Sequence, residues 1–149
     1  MSMLVDRTNK LKLGDGLLKE SQVGPCVNES QRKTVQSYVE IGKQEGAKLV
    51  AGGNIASEGA LAKGWFHQPT IFGDVTPEMR LAKEEIFGPV LSVIRAKDFV
   101  ESIRILNNTE YGLSSSIFTN DVNKAFTAMR DIQSGITYIN AATIGAEAH

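Results

Sequence analysis

The order of apolar runs between residues 90 and 140 constrains this chain more than any other feature. "PVLSVIRA" is rich in β-branched residues, "DFVESIRILNN" repeats apolar residues at helical spacing, and "LSSSIFT" is β-like again. "DVNKAFTAMRDI" is helical and "SGITYIN" returns to strand. A strand that follows another through a helical crossover of about a dozen residues pairs with it in parallel, because only antiparallel neighbours can be joined by a tight turn. Parallel sheets are covered on both faces. The pattern therefore predicts an α/β fold of three layers, an open twisted and mostly parallel sheet with helices on both faces.

Local signals add boundaries. Asp98 is placed to cap a helix, with Glu101 reaching back and Phe99, Ile103 and Leu106 facing the core. In the next helix Val122, Ala125, Phe126, Met129 and Ile132 share one face. Upstream, Asn28 and Gln31 form a capping-box pattern before Val35, Tyr38, Val39 and Gly42, and Gly46 is a natural stop. "KLVAGG" is a short strand closed by Gly52 and Gly53, and residues 2–11 suit a short helix stopped at Gly14–Gly16. Residues 54–64 are small and polar enough for a surface loop. "WFHQPTIFGDV" alternates like a strand, but Pro69 has no amide to donate, which predicts an edge strand or hairpin.

Bulk properties exclude several functions. The 149 residues suffice for one domain with a real core, and 16 basic against 17 acidic residues, with no run of like charge, give no footprint for nucleic acid. No apolar run approaches the roughly 20 residues that cross a bilayer, and "MSMLVDRTNKLK" lacks the apolar segment of a secretory signal, so the expectation is a cytoplasmic protein without a membrane partner. One cysteine and two distant histidines, His67 and His149, make neither a disulfide nor a metal cluster.

The chemistry-bearing stretch is "KEEIFGPVLSV", residues 83–93, where two carboxylates adjoin a buried strand. Glu84 and Glu85 can be exposed turn charges, with Phe87 in the core and Gly88-Pro89 a corner. They can also be functional. A carboxylate at a strand end accepts hydrogen bonds from paired sugar hydroxyls, and an aromatic ring two positions on packs against a flat heterocycle. Alternation along an extended segment sends residues 85 and 87 to the same side. Cys26 has no adjacent histidine and no clear helix N-terminus to lower its pKa, so it is expected to be an inert thiol rather than a nucleophile. His67 is expected to be a structural or surface residue. None of the paired glycines lies in a Rossmann or P-loop phosphate fingerprint.

Taken in order, "KLKLGDGL", "VGPCVN", "YVEIGKQEGAKLVAGG", "KGWFHQPTIFGDV", "RLAKEEIFGPVLSV", "NNTEYGLSSSIFTND" and "SGITYIN" resemble the NAD(P)-dependent aldehyde dehydrogenases over nearly the whole chain. The closing "INAATIGAEAH" is similar to members that oxidise 2-oxoglutarate semialdehyde or related sugar-acid aldehydes. The resemblance implies oxidation of a small-molecule aldehyde to a carboxylic acid with NAD or NADP, through attack by a cysteine thiolate, hydride transfer to nicotinamide, and hydrolysis by a glutamate-activated water. It also implies that Glu85 binds the nicotinamide ribose hydroxyls, that Phe87 supports the nicotinamide ring, and that Ala142, Thr143 and Ile144 line the aldehyde pocket.

The departures are equally specific. The family's nucleophile lies upstream of the segment that matches Met3 to Leu13, and Cys26 falls where the family assigns no chemistry. The nucleotide-binding domain and the "PFGG" block have no counterpart in residues 1–149. The expectation is a partial catalytic domain that contains no catalytic residue, is inactive alone, and forms homo-oligomers through sheet edges and apolar patches. The competing expectation is a non-catalytic truncated relative that acts only as a folding or association module.

Overall fold

The computed structural model describes residues 1–144, so "GAEAH" and its His149 lie outside the described residues. Two units emerge, one of residues Met1–Arg95 and one beginning at Ala96. The first opens with α1 (Ser2–Thr8), shorter than the expected 2–11. Its end tightens: Lys10 and Leu11 donate to Arg7 and Thr8, three residues back, where a continuing α-helix would bond four back.

Asn28 starts the long helix α2 (Glu29–Gln44) as expected, its Oδ1 accepting from the Gln31 amide at 2.8 Å and satisfying a donor that the first turn leaves open. Val35, Val39 and Gly42 form its buried stripe. The chain leaves through Gly46, at φ +90, and enters β1 (Lys48–Ala51). β1 pairs antiparallel with β2 (Thr70–Val75), and β2 pairs in parallel with β3 (Val90–Ile94). The single turn α3 (Arg80–Lys83) lies between those two strands in sequence.

Here the sequence expectation is corrected: β2 is the central strand, in the order β1-β2-β3, and not an edge. Only one of its six residues is exposed. Pro69 precedes the ladder, so its missing amide costs no strand hydrogen bond; Thr70 is the first donor, to Pro89 O at 2.8 Å. Gly52, at φ +68, lets the chain run against the Pro69 carbonyl, where a Cβ would collide. Val39, Ala47, Phe72, Val75 and Leu81 form the core, ringed by Tyr38, Leu49, Met79, Ile86, Val90 and Ile94. Phe72 is fully buried, which stabilises the unit by about 1.5–3 kcal/mol.

The second unit contains α4 (Phe99–Asn107), β4 (Ser114–Ile117), α5 (Val122–Asp131) and β5 (Ile136–Ile139). Asp98 caps α4 through the Glu101 amide at 2.8 Å, and Glu101 accepts from the Lys97 amide at 2.7 Å, one residue before the cap. β4 and β5 pair in parallel, in register from Ser114↔Ile136 to Ile117↔Ile139, with α5 as the crossover. Asn107 ties the helix ends together, donating to Asp131 O at 2.8 Å and accepting from the Gln133 amide at 3.0 Å.

The α/β class is borne out, with strands in one sheet of three and one of two among the described residues. The expected inner face of α5 is corrected. Ala128 and Ile132 are buried and Ala125 half-buried, whereas Val122, Phe126 and Met129 are exposed. Ala125 and Ile132 lie inward as expected, and the inner face is rotated from the expected one toward Ala128, where a small side chain allows close packing. No helix among the described residues is long and apolar enough to cross a membrane.

Candidate functional site

The segment Glu84–Pro89 links α3 to β3, and it leaves α3 at Glu84 in extended conformation (φ −103, ψ 145). Exposure alternates along it. Glu84 is half-buried, Glu85 exposed, Ile86 packed against the core, and Phe87 exposed at 74%. With Ile86 tucked inward between them, Glu85 and Phe87 are the residues the period of two turns outward. The ion pair in this segment belongs to Glu84, which leaves Glu85 as the acid presented to solvent.

Glu84 is held by two side chains. Arg80, one turn back on α3, donates from Nε to Oε1 at 2.7 Å and from Nη2 to Oε2 at 2.8 Å. Tyr38, from α2, donates its hydroxyl to Oε2 at 2.7 Å. These donors bring the Glu84 carboxyl down to about 2, Arg80 first and Tyr38 second, while the same bond to Glu84 raises the Tyr38 hydroxyl and strengthens the basicity of Arg80. The Arg80 guanidinium also lies 5.4 Å from the Tyr38 ring centroid, within cation–π range.

The other end of the segment is fastened separately. Gln31 Nε2 donates to Phe87 O at 2.7 Å, so its side chain does not reach back to the helix cap as the capping-box pattern predicts. Gly88 lies against Val35, where any Cβ would collide with that side chain, and its amide closes a tight turn onto Ile86 O at 2.7 Å.

A cavity of about 520 Å³ lies beside this segment, lined by the 23–27 loop, Gln31, His67 and Ile86 through Pro89. Cys26 is part of its wall, a position beside Phe87 that nothing in the residue order announced. Burial pushes the Cys26 thiol up, against the smaller effects of its backbone hydrogen bond and the nearby Arg32 charge. An upward shift lowers the thiolate fraction, and the thiolate is the nucleophilic form. His67 is structural rather than surface, 1% exposed, with Nδ1 2.9 Å from Gln68 O and Nε2 3.1 Å from Gln36 Oε1. A neutral imidazole donates to only one of these oxygens, and the tautomer decides which. Burial lowers its pKa and the Arg32 charge acts the same way, against the Gln68 carbonyl.

In the second unit Asn140 follows β5 in the left-handed region, at φ +54. Its amide donates to Ile117 O at 2.8 Å, its Oδ1 accepts from the Thr119 amide at 2.8 Å, and its Nδ2 donates to Thr119 O at 2.9 Å. The side chain thus imitates one more rung of the β4–β5 ladder, and Ser116 Oγ holds the next carbonyl, Ala141 O. Beyond this fastening Ala142, Thr143 and Ile144 are exposed, Ile144 at 84%.

Glu85 and Phe87 therefore belong to the first unit, and Ala142, Thr143 and Ile144 to the second. Sequence reasoning missed the fastening residues Tyr38, Arg80, Gln31 and Asn140. The i,i+4 spacing of Arg80 and Glu84 was a usable signal. Tyr38, read only as core, had none, because its hydroxyl partner is distant in sequence.

Comparison with known proteins gives a consistent result. The profile of the aldehyde dehydrogenase family matches residues 1–149. A betaine aldehyde dehydrogenase of Brucella anthropi is 46% identical over 138 residues, 93% of this chain and 28% of the relative. An alpha-ketoglutarate semialdehyde dehydrogenase of Haloferax volcanii is 42% identical over 146 residues, 98% of this chain and 30% of the relative. Betaine aldehyde dehydrogenase from Staphylococcus aureus, solved in complex with NAD+, matches with a TM-score of 0.93 at 32% identity, over 99% of this chain and 29% of that one. The chain spans less than a third of the length of the relatives it matches.

Proposed function

The chain belongs to the aldehyde dehydrogenase family, and on that premise we propose that it is the part of an NAD(P)-dependent aldehyde dehydrogenase that grips the nicotinamide ribose and walls the aldehyde pocket. The observation that carries this reading is the outward pair, an exposed Glu85 carboxylate and a 74% exposed Phe87 ring, with the intervening Ile86 packed inward and the neighbouring acid already paired. These residues fit the group. An ionised carboxylate accepts from both hydroxyls of a ribose, and such charge-assisted bonds are roughly twice as strong as neutral ones. The Phe87 ring offers a flat apolar face to a flat heterocycle. When bound, the nicotinamide supplies the hydride acceptor; Glu85 fixes its sugar and Phe87 limits its tilt.

Ala142, Thr143 and Ile144 supply pocket wall, and with little charge among them they suit the carbon skeleton of a small aldehyde. Similarity to the Haloferax volcanii protein supports a semialdehyde of an oxo-acid as substrate, and similarity to the Brucella anthropi protein supports betaine aldehyde. Either product is a carboxylate. Burial raises the chain's only thiol, Cys26, above its ordinary value and disfavours it as a nucleophile, so no aldehyde oxidation is expected of residues 1–149 alone. The exposed apolar side chains Val122, Phe126 and Met129 favour self-association into a homo-oligomer.

The purified chain incubated with betaine aldehyde or 2-oxoglutarate semialdehyde and NAD+ or NADP+ tests the inactivity directly. No reduced cofactor is expected; its formation, lost in Cys26→Ser, would make Cys26 a nucleophile and overturn the assignment.

A further inference from the structure

Two adjacent glutamates of identical chemistry occupy opposite situations. Glu84 is gripped through both carboxylate oxygens by Arg80 and through Oε2 by Tyr38, whereas Glu85 faces solvent. The Gln31 bond to Phe87 O and the contact of Gly88 with Val35 fasten the far end of the segment to the same helix, α2. Ile86 is packed against the core between those fastenings. The backbone of residues 84–88 is thus held at three places, which limits the conformations open to the segment that carries Glu85 and Phe87. Such an arrangement removes in advance the conformational entropy that a ligand would otherwise have to remove on binding.

Resting on the reading above, we propose that Tyr38, Arg80 and Glu84 are positioning residues, a clamp that holds residues 85–87 in the conformation that presents Glu85 and Phe87 together to a nicotinamide ribose. The clamp divides the labour of the "EE" pair: the first acid orients and the second binds. Its bidentate fork depends on the planar guanidinium, so a lysine at position 80 is no substitute. Glu45 accepts from the Arg80 amide at 3.0 Å and fixes the start of α3, so the fork itself is anchored.

The test uses the full chain, labelled with 15N, and nicotinamide mononucleotide as the probe. In the parent chain the probe is expected to shift the amides of residues 85–88 saturably in the millimolar range. Tyr38→Phe, which removes one hydroxyl, and Arg80→Lys, which keeps the charge, are each expected to weaken that binding about fivefold and to speed amide exchange at Phe87 and Gly88, as loss of preorganisation demands. The β1–β3 amides should not move, which separates positioning from general destabilisation. Glu84→Gln should do the same or more. If it unfolds the chain, the Tyr38→Phe result decides. Unchanged exchange and unchanged binding in Tyr38→Phe and Arg80→Lys overturn the clamp. Faster exchange in those variants, with no probe-induced shifts in the parent chain, retains the clamp and overturns the ribose reading instead.

Discussion

The two units solve the problem of burial differently. In Met1–Arg95 the long helix α2 lays Val35, Val39 and Gly42 on a three-stranded sheet, and eight apolar side chains from Val35 to Leu81, besides Ala47, fall below a tenth exposed. In the unit that begins at Ala96, only Ala128 and Ile132 among the described apolar residues are buried, while Val100, Leu113, Phe118, Val122, Phe126 and Met129 stand exposed. Both have well-capped helices and parallel strand pairs. The difference teaches that correct local structure and a sufficient core are separate achievements: caps and ladders define the second unit, and buried side chains define the first.

The comparison can be broken most sharply at Phe72. Phe72→Ala should destabilise the first unit by about 3–5 kcal/mol, read as a lower urea midpoint, because it removes a fully buried aromatic ring and leaves a cavity in the core. An effect under about 1 kcal/mol, the size of a lost cap, would mean that the first unit is no more core-driven than the second.

A smaller effect follows from His67. Its folded-state pKa is lowered by burial, so the unfolded chain takes up a proton that the folded chain refuses. The sign is therefore definite: stability is full above the unfolded value of about 6.5 and falls as pH drops below it. Urea midpoints at pH 7.5 and pH 5.5, choices on either side of that value, should differ in the parent chain and converge in His67→Gln. A midpoint that rose on acidification would show that the Gln68 and Gln36 acceptors outweigh burial. The paired Glu84 adds a second, lower window: its carboxyl, at about 2, lies below the usual carboxylate range, so its contribution is full above that range and is lost as pH falls from it toward about 2.

The smallest effect is expected on the outer side of α5. Phe126→Ser should change stability by no more than about 0.5 kcal/mol, as for exposed substitutions generally, while reducing self-association measured by sedimentation. A large loss of stability would show that Phe126 is covered in solution and would erase much of the contrast between the units.

Some of this was legible in the chain and some was not. Asn28 and Asp98 cap the helices predicted for them, and the strand-helix-strand order after residue 90 yields the parallel β4–β5 pair. The exposure of both Glu85 and Phe87 agrees with the alternation read from the sequence. The position of β2 was not, because Pro69 looks the same whether it ends an edge strand or precedes a central one. The buried side of α5 was legible at Ala125 and Ile132 but not at Ala128, because large apolar residues such as Phe126 and Met129 outweigh an alanine in a periodicity count. Nothing in "KEEIF" says which glutamate is paired.

What the amino-acid order settled by itself is short in range: caps, turns, strand alternation and the α/β class, all set by backbone geometry and by neighbours within a few positions. What tertiary structure alone decided is which side chains from distant segments share a space. Tyr38 meets Glu84, Gln31 meets the Phe87 carbonyl, and Cys26 joins the cavity beside Phe87. Hydrogen bonds and burial depend on distances of a few ångströms, and separation along the chain carries no information about those distances until the helix α2 and the sheet have packed.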